Sequence, residues 1–132
     1  MIFDSIRKKY VALTPEEWVR QHLIHYLTTE KQYPPSLISI ETPLKYALTD
    51  KRSDLIIYNR NGQALLLAEC KAPNVLITRK TFEQIAIYHQ RVCAHTLLLT
   101  NGLTHYCVTV RPGQPARFLT EIPDFSALQS GR

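Results

Sequence analysis

The sequence is short of glycine and cysteine and has no long apolar run, and each shortage excludes a class of protein. No apolar stretch among its 132 residues approaches the roughly 20 residues that a membrane-spanning helix requires. The start of the chain, MIFDSIRKKY, lacks the apolar core that follows the basic region of a signal peptide. Its three cysteines form no CxxC pair, so the sequence predicts neither a disulfide framework nor a zinc site. We therefore expect reduced thiols and a cytoplasmic location.

Motifs of nucleotide-driven motors and metalloproteases are missing as well. The sequence has no GxxxxGK[ST] segment, which excludes a P-loop motor within it. His22 and His25 lie three residues apart in a predicted helix, but no HExxH motif accompanies them. Packing or exposure on the helix surface is therefore favoured over a metal site for these two histidines.

What the chain does contain is a large apolar fraction and an excess of basic residues. Hydrophobic residues make up 45% of it, enough for the core of a single domain, 1–132, without disulfides. There are 16 Lys and Arg residues against 11 Asp and Glu, a formal net charge of +5. This excess favours a polyanionic partner, although soluble domains also carry such a charge for solubility.

Hydrophobic periodicity predicts a mixed α/β fold. The first helix has a capping Thr14 and then Pro15, a residue that suits the first helical position. The order is a helix, three strands, a helix, a strand and a terminal hairpin, at residues 14–27, 37–48, 53–59, 64–72, 78–92, 95–100, 104–110 and 116–122.

The turn signal Asn61-Gly62 predicts a hairpin and its register. A two-residue type I′ turn there sets Arg60 opposite Gln63. Counting back along both strands, Asp54 then faces Glu69 on one side of the sheet, with Cβ atoms roughly 4.5–5.5 Å apart. A bulge or a longer loop would break this register.

The predicted pair has a chemical use. Two adjacent carboxylates repel each other unless a cation lies between them. Lys71 lies two residues after Glu69 and so points to the same face. Carboxylate oxygens suit Mg²⁺, which usually takes one or two of them and keeps waters and substrate phosphate as further ligands. We therefore predict a Mg²⁺ site, with Mn²⁺ as a substitute, in which Asp54, Glu69 and the backbone carbonyl of Cys70 bind the metal and Lys71 assists the attacking water.

The same residues also fit a purely structural role. Asp54 is compatible with a charge at a strand edge, and Glu69 with Lys71 is compatible with a solvated ion pair. The hairpin alone leaves both interpretations open.

Five segments in order give the sequence a resemblance to the PD-(D/E)xK nuclease superfamily. More narrowly, it resembles the N-terminal nuclease domain of type I restriction enzyme R subunits, over about residues 10–108. One departure is Ser53, which stands where the superfamily's name has proline. The segments are TPEEWVRQ at 14–21, RSDLI at 52–56, LAECKAP at 67–73, QIAIY at 84–88 and LTNG at 99–102.

The resemblance implies a restriction-endonuclease-like core of a helix, a three-stranded antiparallel meander, a helix and a strand. It also implies that Asp54 and Glu69 bind metal and that Lys71 is catalytic. A glutamate of the first helix commonly joins such a site. We favour Glu17, because Glu16 shares the core-side stripe of the helix and can pair with Arg20 four residues on. The alternative is that both glutamates simply favour the helix N-terminus.

The second helix carries two further candidates for the site. Gln84 and Tyr88 lie one turn apart on a face that borders the active site in the family-like interpretation. The alternatives are a capping box, Thr81-x-x-Gln84, and core packing of Tyr88. Candidate DNA-phosphate contacts flank the site in sequence, although exposed basic residues are usually only solvated: Lys51, Arg52, Arg79, Lys80 and Arg91.

We predict a Mg²⁺-dependent endonuclease of the restriction type that hydrolyses DNA phosphodiesters. The alternative is a non-catalytic nucleic-acid-binding or assembly module that keeps the nuclease fold. An enzyme for a small anionic substrate is less favoured, because no cofactor-binding loop is visible. The expected partners are DNA and a separate ATP-driven translocase or specificity chain. A double-strand cut needs two such sites, which is compatible with a homodimer.

Overall fold

The computed structural model describes residues 1–43, 52–89, 94–111 and 113–129. These residues form a six-stranded mixed sheet and a separate two-stranded N-terminal hairpin. No helix within these ranges is long and apolar enough to cross a membrane. The elements are β1 (Ile2–Asp4), β2 (Lys9–Val11), α1 (Pro15–Thr29), a 3₁₀ turn (Pro35–Leu37), β3 (Ile38–Pro43), β4 (Arg52–Tyr58), β5 (Ala64–Cys70), α2 (Arg79–His89), β6 (Thr96–Thr100), β7 (His105–Thr109), β8 (Arg117–Leu119) and α3 (Phe125–Gln129).

The sheet follows chain order, β3-β4-β5-β6-β7-β8. Every neighbouring pair is antiparallel except β5 and β6, which are parallel. Parallel neighbours need a crossover connection, and α2 supplies it. The predicted mixed α/β fold, its meander and its C-terminal hairpin are confirmed. The β1–β2 hairpin and α3 are additions that the sequence patterns do not predict.

Apolar side chains cover both faces of the sheet. On one face, Leu55 and Leu66 share a buried cluster with Leu27 of α1 and with α3. On the other face, Leu67 shares a second buried cluster with Phe82 of α2. Burial on both faces explains why these strands are continuous apolar runs instead of alternating patterns.

The α1 helix begins as predicted. Thr14 is its N-cap, with the hydroxyl Oγ1 accepting the backbone N–H of Glu17 at 3.1 Å, and Pro15 is the first helical residue. The prediction that Glu16 shares the core-side stripe is wrong. Glu17 is the buried residue, with 5% of its surface exposed, whereas the side chain of Glu16 is 46% exposed.

The β4–β5 hairpin has a longer loop than predicted. The N–H of Asn59 donates to the carbonyl of Gln63, and the N–H of Gly62 donates to the carbonyl of Asn59. Residues 60–62 therefore form a three-residue loop, and the predicted two-residue turn is wrong. The side chain of Asn59 stabilises this loop by accepting the N–H groups of Asn61 and Gln63 at 2.9 Å each.

A register shift between Ile57 and Tyr58 compensates for the longer loop. Beyond it, Ile57 pairs with Leu66 and Leu55 pairs with Ala68, which is the predicted register. The bulge thus restores the pairing on which the candidate site depends.

Candidate active site

The β4–β5 hairpin brings Asp54 and Glu69 together. Leu55 pairs with Ala68, and extending this pairing by one residue sets Asp54 opposite Glu69. The N–H of Cys70, next to Glu69, donates to Oδ2 of Asp54 at 2.6 Å. This hydrogen bond holds the Asp54 carboxylate against the end of β5.

The electrostatics of Asp54 reflect this closeness. Burial raises its pKa, and the negative charge of Glu69 raises it further. The hydrogen bond from Cys70 and the positive charge of Arg20 lower it in part, and the net pKa is about 6. Burial is the largest of these causes, and a divalent cation beside the two carboxylates would favour the ionised form of Asp54.

Lys71 lies beside Glu69 at the carboxyl end of β5. Its Nζ is 3.5 Å from Oε1 of Glu69, and its side chain is 35% exposed. The backbone N–H of Lys71 donates to the carbonyl of Thr100 at 2.8 Å, which fixes the chain where β5 ends beside β6. The ammonium group therefore stands at the carboxylate pair and also reaches solvent. Cys70 turns the other way, into the core cluster that includes α1.

Arg20 links Glu17 to the carboxylate pair of Asp54 and Glu69. Oε2 of Glu17 accepts from Nη1 of Arg20 at 2.7 Å, and Nη2 of Arg20 donates to Oδ1 of Asp54 at 3.0 Å. The predicted pairing of Glu16 with Arg20 is also present, at 3.3 Å. From the sequence, Arg20 is expected only to pair with Glu16, and its position in the sequence does not indicate a contact with Asp54 in β4.

The hydrogen bonds extend from Glu17 to the N-terminal hairpin, β1–β2, which the sequence patterns do not connect to the site. Nη2 of Arg7 donates to Oε1 of Glu17 at 2.5 Å, and Arg7 also pairs with Asp4. Asp4 is fully buried and accepts the backbone N–H groups of Ile6 and Arg7. Burial alone would raise the pKa values of Asp4 and Glu17, but these hydrogen bonds and the arginine charges outweigh it, so both are lowered.

The next candidates are Gln84 and Tyr88 of α2. Thr78 caps this helix, with Oγ1 accepting the N–H of Thr81 at 3.2 Å. The helix begins at Arg79, so the alternative capping box from Thr81 to Gln84 is wrong. The side chain of Gln84 is exposed, and that of Tyr88 lies outside the described residues.

Two of the candidate phosphate contacts have described side chains. Lys80 is exposed, and the guanidinium of Arg79 lies 3.9 Å from the ring centroid of Phe118 in β8. Since β6 and β7 separate β8 from β5, Arg79 lies over the far part of the sheet. Lys51, Arg91 and the side chain of Arg52 lie outside the described residues.

A buried amide fixes the loop that follows β5. Nδ2 of Asn101 donates to the carbonyl of Val75 at 2.8 Å, and its Oδ1 accepts the N–H groups of Leu103 and Thr104. Asn101 thereby ties the end of β6 to the segment between Lys71 and α2. The sequence marked Asn101 as part of a motif but gave no role for its side chain.

The carboxylate pair fits a hard divalent cation. Within the described parts of the chain, no three His, Cys, Asp or Glu side chains form a group that could hold a metal alone. Mg²⁺ needs fewer, because it usually takes one or two carboxylates and completes its shell with water and phosphate oxygens. Asp54 and Glu69 offer that donor set, side by side at the ends of β4 and β5.

One family of known proteins matches most of the chain. The family model described as the type I restriction enzyme R protein N terminus (HSDR_N) matches residues 15–123. The chain belongs to this family. The matched region contains α1, the β4–β5 hairpin and α2. The family inferred from the sequence is confirmed, and the chain is a nuclease-like domain of the R-protein type.

Two solved structures share the fold of this R-protein domain. One is a fragment described as an HsdR subunit of a type I restriction enzyme from Vibrio vulnificus YJ016, with a TM-score of 0.61 and 17% identity over 92% of this chain. The present chain covers 26% of that one. The other is described as a nuclease of DUF820 from Anabaena variabilis ATCC 29413, with a TM-score of 0.53 and 11% identity over 93% of this chain and 79% of that one. At these identities the likeness shows the fold, which is the predicted restriction-endonuclease-like core. A search of curated proteins finds no significant match.

Proposed function

We propose that this domain hydrolyses DNA phosphodiester bonds as a Mg²⁺-dependent endonuclease of the restriction type, with Mn²⁺ able to replace Mg²⁺. Asp54 and Glu69 hold the metal, and the backbone carbonyl of Cys70 is a further ligand. The observation that carries the proposal is the juxtaposition of Asp54, Glu69 and Lys71 at the ends of β4 and β5. The family match supports it, because that match covers all three residues.

Each residue of the site has its own role in the proposed reaction. A bound Mg²⁺ would polarise a phosphoryl oxygen and lower the pKa of a coordinated water. Lys71, which is partly exposed beside Glu69, is placed to orient the attacking water and to offset charge on the phosphate. The hydrogen bond from Cys70 keeps the Asp54 carboxylate from rotating away.

Other residues are proposed to act around this centre. Glu17 supports Asp54 through Arg20 instead of contacting it. Gln84 and Tyr88 of α2 are proposed to border the bound phosphate, and basic side chains are proposed to hold the DNA backbone without reading its sequence. We propose that these contacts come from Lys51, Arg52, Arg79, Lys80 and Arg91.

Nicking of supercoiled plasmid DNA tests this function. We expect the wild-type protein to nick DNA with Mg²⁺ or Mn²⁺ and to lose this activity in EDTA. Asp54→Ala and Lys71→Ala are each expected to lower the rate by about 100-fold or more, because the first removes a metal ligand and the second removes a positive charge at the reacting phosphate.

Two matched variants control for general loss of charge. Arg60→Ala removes a basic residue from the opposite end of the same hairpin, and Asp124→Ala removes an exposed carboxylate that pairs with Lys31. Both are expected to nick DNA at the wild-type rate. Cleavage that survives both Asp54→Ala and Lys71→Ala would show that the site is elsewhere. Salt-sensitive DNA binding by a folded wild-type protein that never cleaves would favour the binding module instead.

A further inference from the structure

Arg20 is a buried arginine shared between two carboxylates of the site. Its side chain is 6% exposed. Nη1 contacts Glu17 at 2.7 Å and Nη2 contacts Asp54 at 3.0 Å. A guanidinium stays protonated in proteins, so this is a permanent positive charge next to the proposed metal ligands.

Each carboxylate of the proposed metal site already has a cationic side chain beside it. Asp54 is paired with Arg20, and Glu69 is paired with Lys71. The two pairs differ in exposure, because the Lys71 side chain is partly exposed whereas that of Arg20 is buried. Lys71 can therefore move from Glu69 toward a bound phosphate when another cation arrives, whereas Arg20 keeps its position.

We propose that Arg20 is the resident counter-cation of this site, a positioning residue that holds Asp54 in place and opposes the binding of a divalent cation. This inference rests on the proposed function, since it assumes that Asp54 and Glu69 are the metal ligands. A fixed like charge within a few ångströms of a cation weakens its binding strongly where water is excluded. The consequence is a site that binds metal weakly until a phosphate group adds negative charge.

Calorimetric titration of the intact protein with Mn²⁺, in the absence of DNA, tests the proposal. Arg20→Gln removes the charge but keeps hydrogen-bond donors, and it is expected to bind Mn²⁺ about tenfold or more tightly than wild type. Arg20→Lys keeps the charge and is expected to bind Mn²⁺ within about threefold of wild type.

Arg7→Gln is the matched control. Arg7 belongs to the same network, in which it pairs with Asp4 and Glu17. It is linked to Asp54 through Glu17 and Arg20. Its removal is expected to change the Mn²⁺ affinity by less than about threefold, because the interaction falls with distance. If Arg20→Gln does not fold, Glu17→Gln with Arg20→Gln removes both charges of the buried pair. That double variant is then compared with Glu17→Gln alone, and the same tightening is expected.

The outcomes separate this inference from the proposed function. Unchanged or weaker Mn²⁺ binding in folded Arg20→Gln, with wild-type binding that Asp54→Asn abolishes, would overturn only the role of Arg20. Absence of Mn²⁺ binding in both wild type and Arg20→Gln would overturn the metal site and the inference together. Tight binding in Arg20→Gln that is lost again on adding Asp54→Asn would support both.

Discussion

At the scale of single residues, the carboxylate of Asp4 gives the fold a defined acid sensitivity. Burial favours its protonated form, but the Arg7 side chain and two backbone N–H groups favour its ionised form more strongly, so its pKa lies below the ordinary value. A carboxyl whose folded-state pKa is lowered stabilises the fold at pH values above its unfolded pKa of about 3.9. That stabilisation is lost as the pH falls through the lower, folded-state pKa.

We therefore expect Asp4→Asn to lower the free energy of unfolding at pH 7 by about 1–3 kcal/mol, since Arg7 then loses the negative charge of its buried partner. The difference from wild type is expected to shrink below about pH 4, where Asp4 of the unfolded wild-type protein becomes protonated. Thermal unfolding followed by circular dichroism from pH 3 to pH 7 measures this. Wild-type and variant melting curves that stay equally far apart at every pH would contradict it.

The same scale shows what the sequence could and could not predict about the site. The position of Asp54 opposite Glu69 was predicted from the strand register, and it holds because the shift after Ile57 cancels the extra loop residue. Arg20 and Arg7 were not, because their partners lie in other elements and depend on how α1 and the N-terminal hairpin pack. The preference for Glu17 over Glu16 rested on a wrong premise, since Glu17 is buried and the side chain of Glu16 is 46% exposed.

At the scale of elements, the β4–β5 hairpin depends on one glycine. Gly62 has a φ of +80°, in the left-handed region that a residue with a Cβ atom adopts at a cost. Nothing lies within 4 Å of a Cβ built on it, so backbone strain alone should decide the effect of a substitution.

Gly62→Ala is expected to destabilise the protein by about 1–2 kcal/mol, and Gly62→Asn by less, because Asn tolerates this conformation better. Urea unfolding monitored by fluorescence of Trp18 measures the two variants. Equal loss of stability in both variants would show that strain at φ is not the cause.

This hairpin also shows why its loop length was not predicted correctly from the sequence. The pair Asn61-Gly62 fits both a two-residue and a three-residue loop. The choice is made by Asn59, whose side chain accepts two N–H groups of the longer loop. The predicted strand register survives only because the shift after Ile57 cancels the extra loop residue.

At the scale of the whole molecule, the long apolar elements were predictable, whereas among the short ones β8 was predicted and the β1–β2 hairpin and α3 were not. The strands and both long helices carry enough residues for their pattern to be read. The β1–β2 hairpin and α3 have only three to five residues in each element, and tertiary contacts stabilise them. For α3 these include the N–H of Phe125, which donates to the carbonyl of Lys31 at 2.9 Å, and the packing of the Phe125 ring against Tyr33.

The parallel pairing of β5 with β6 has a consequence for the order of folding. Strands β3, β4 and β5 each pair with their neighbour in the chain, whereas β5 and β6 meet only after the intervening α2 crossover has closed. Closing a long connection costs entropy before its contacts form, so such pairings come late. We expect pulsed hydrogen exchange to protect the amide of Ala68, whose N–H faces β4, before that of Lys71, which donates to the carbonyl of Thr100 in β6, and simultaneous protection would contradict this order. Asp54 and Glu69 would then meet early in refolding, before α2 packs on the sheet through Phe82.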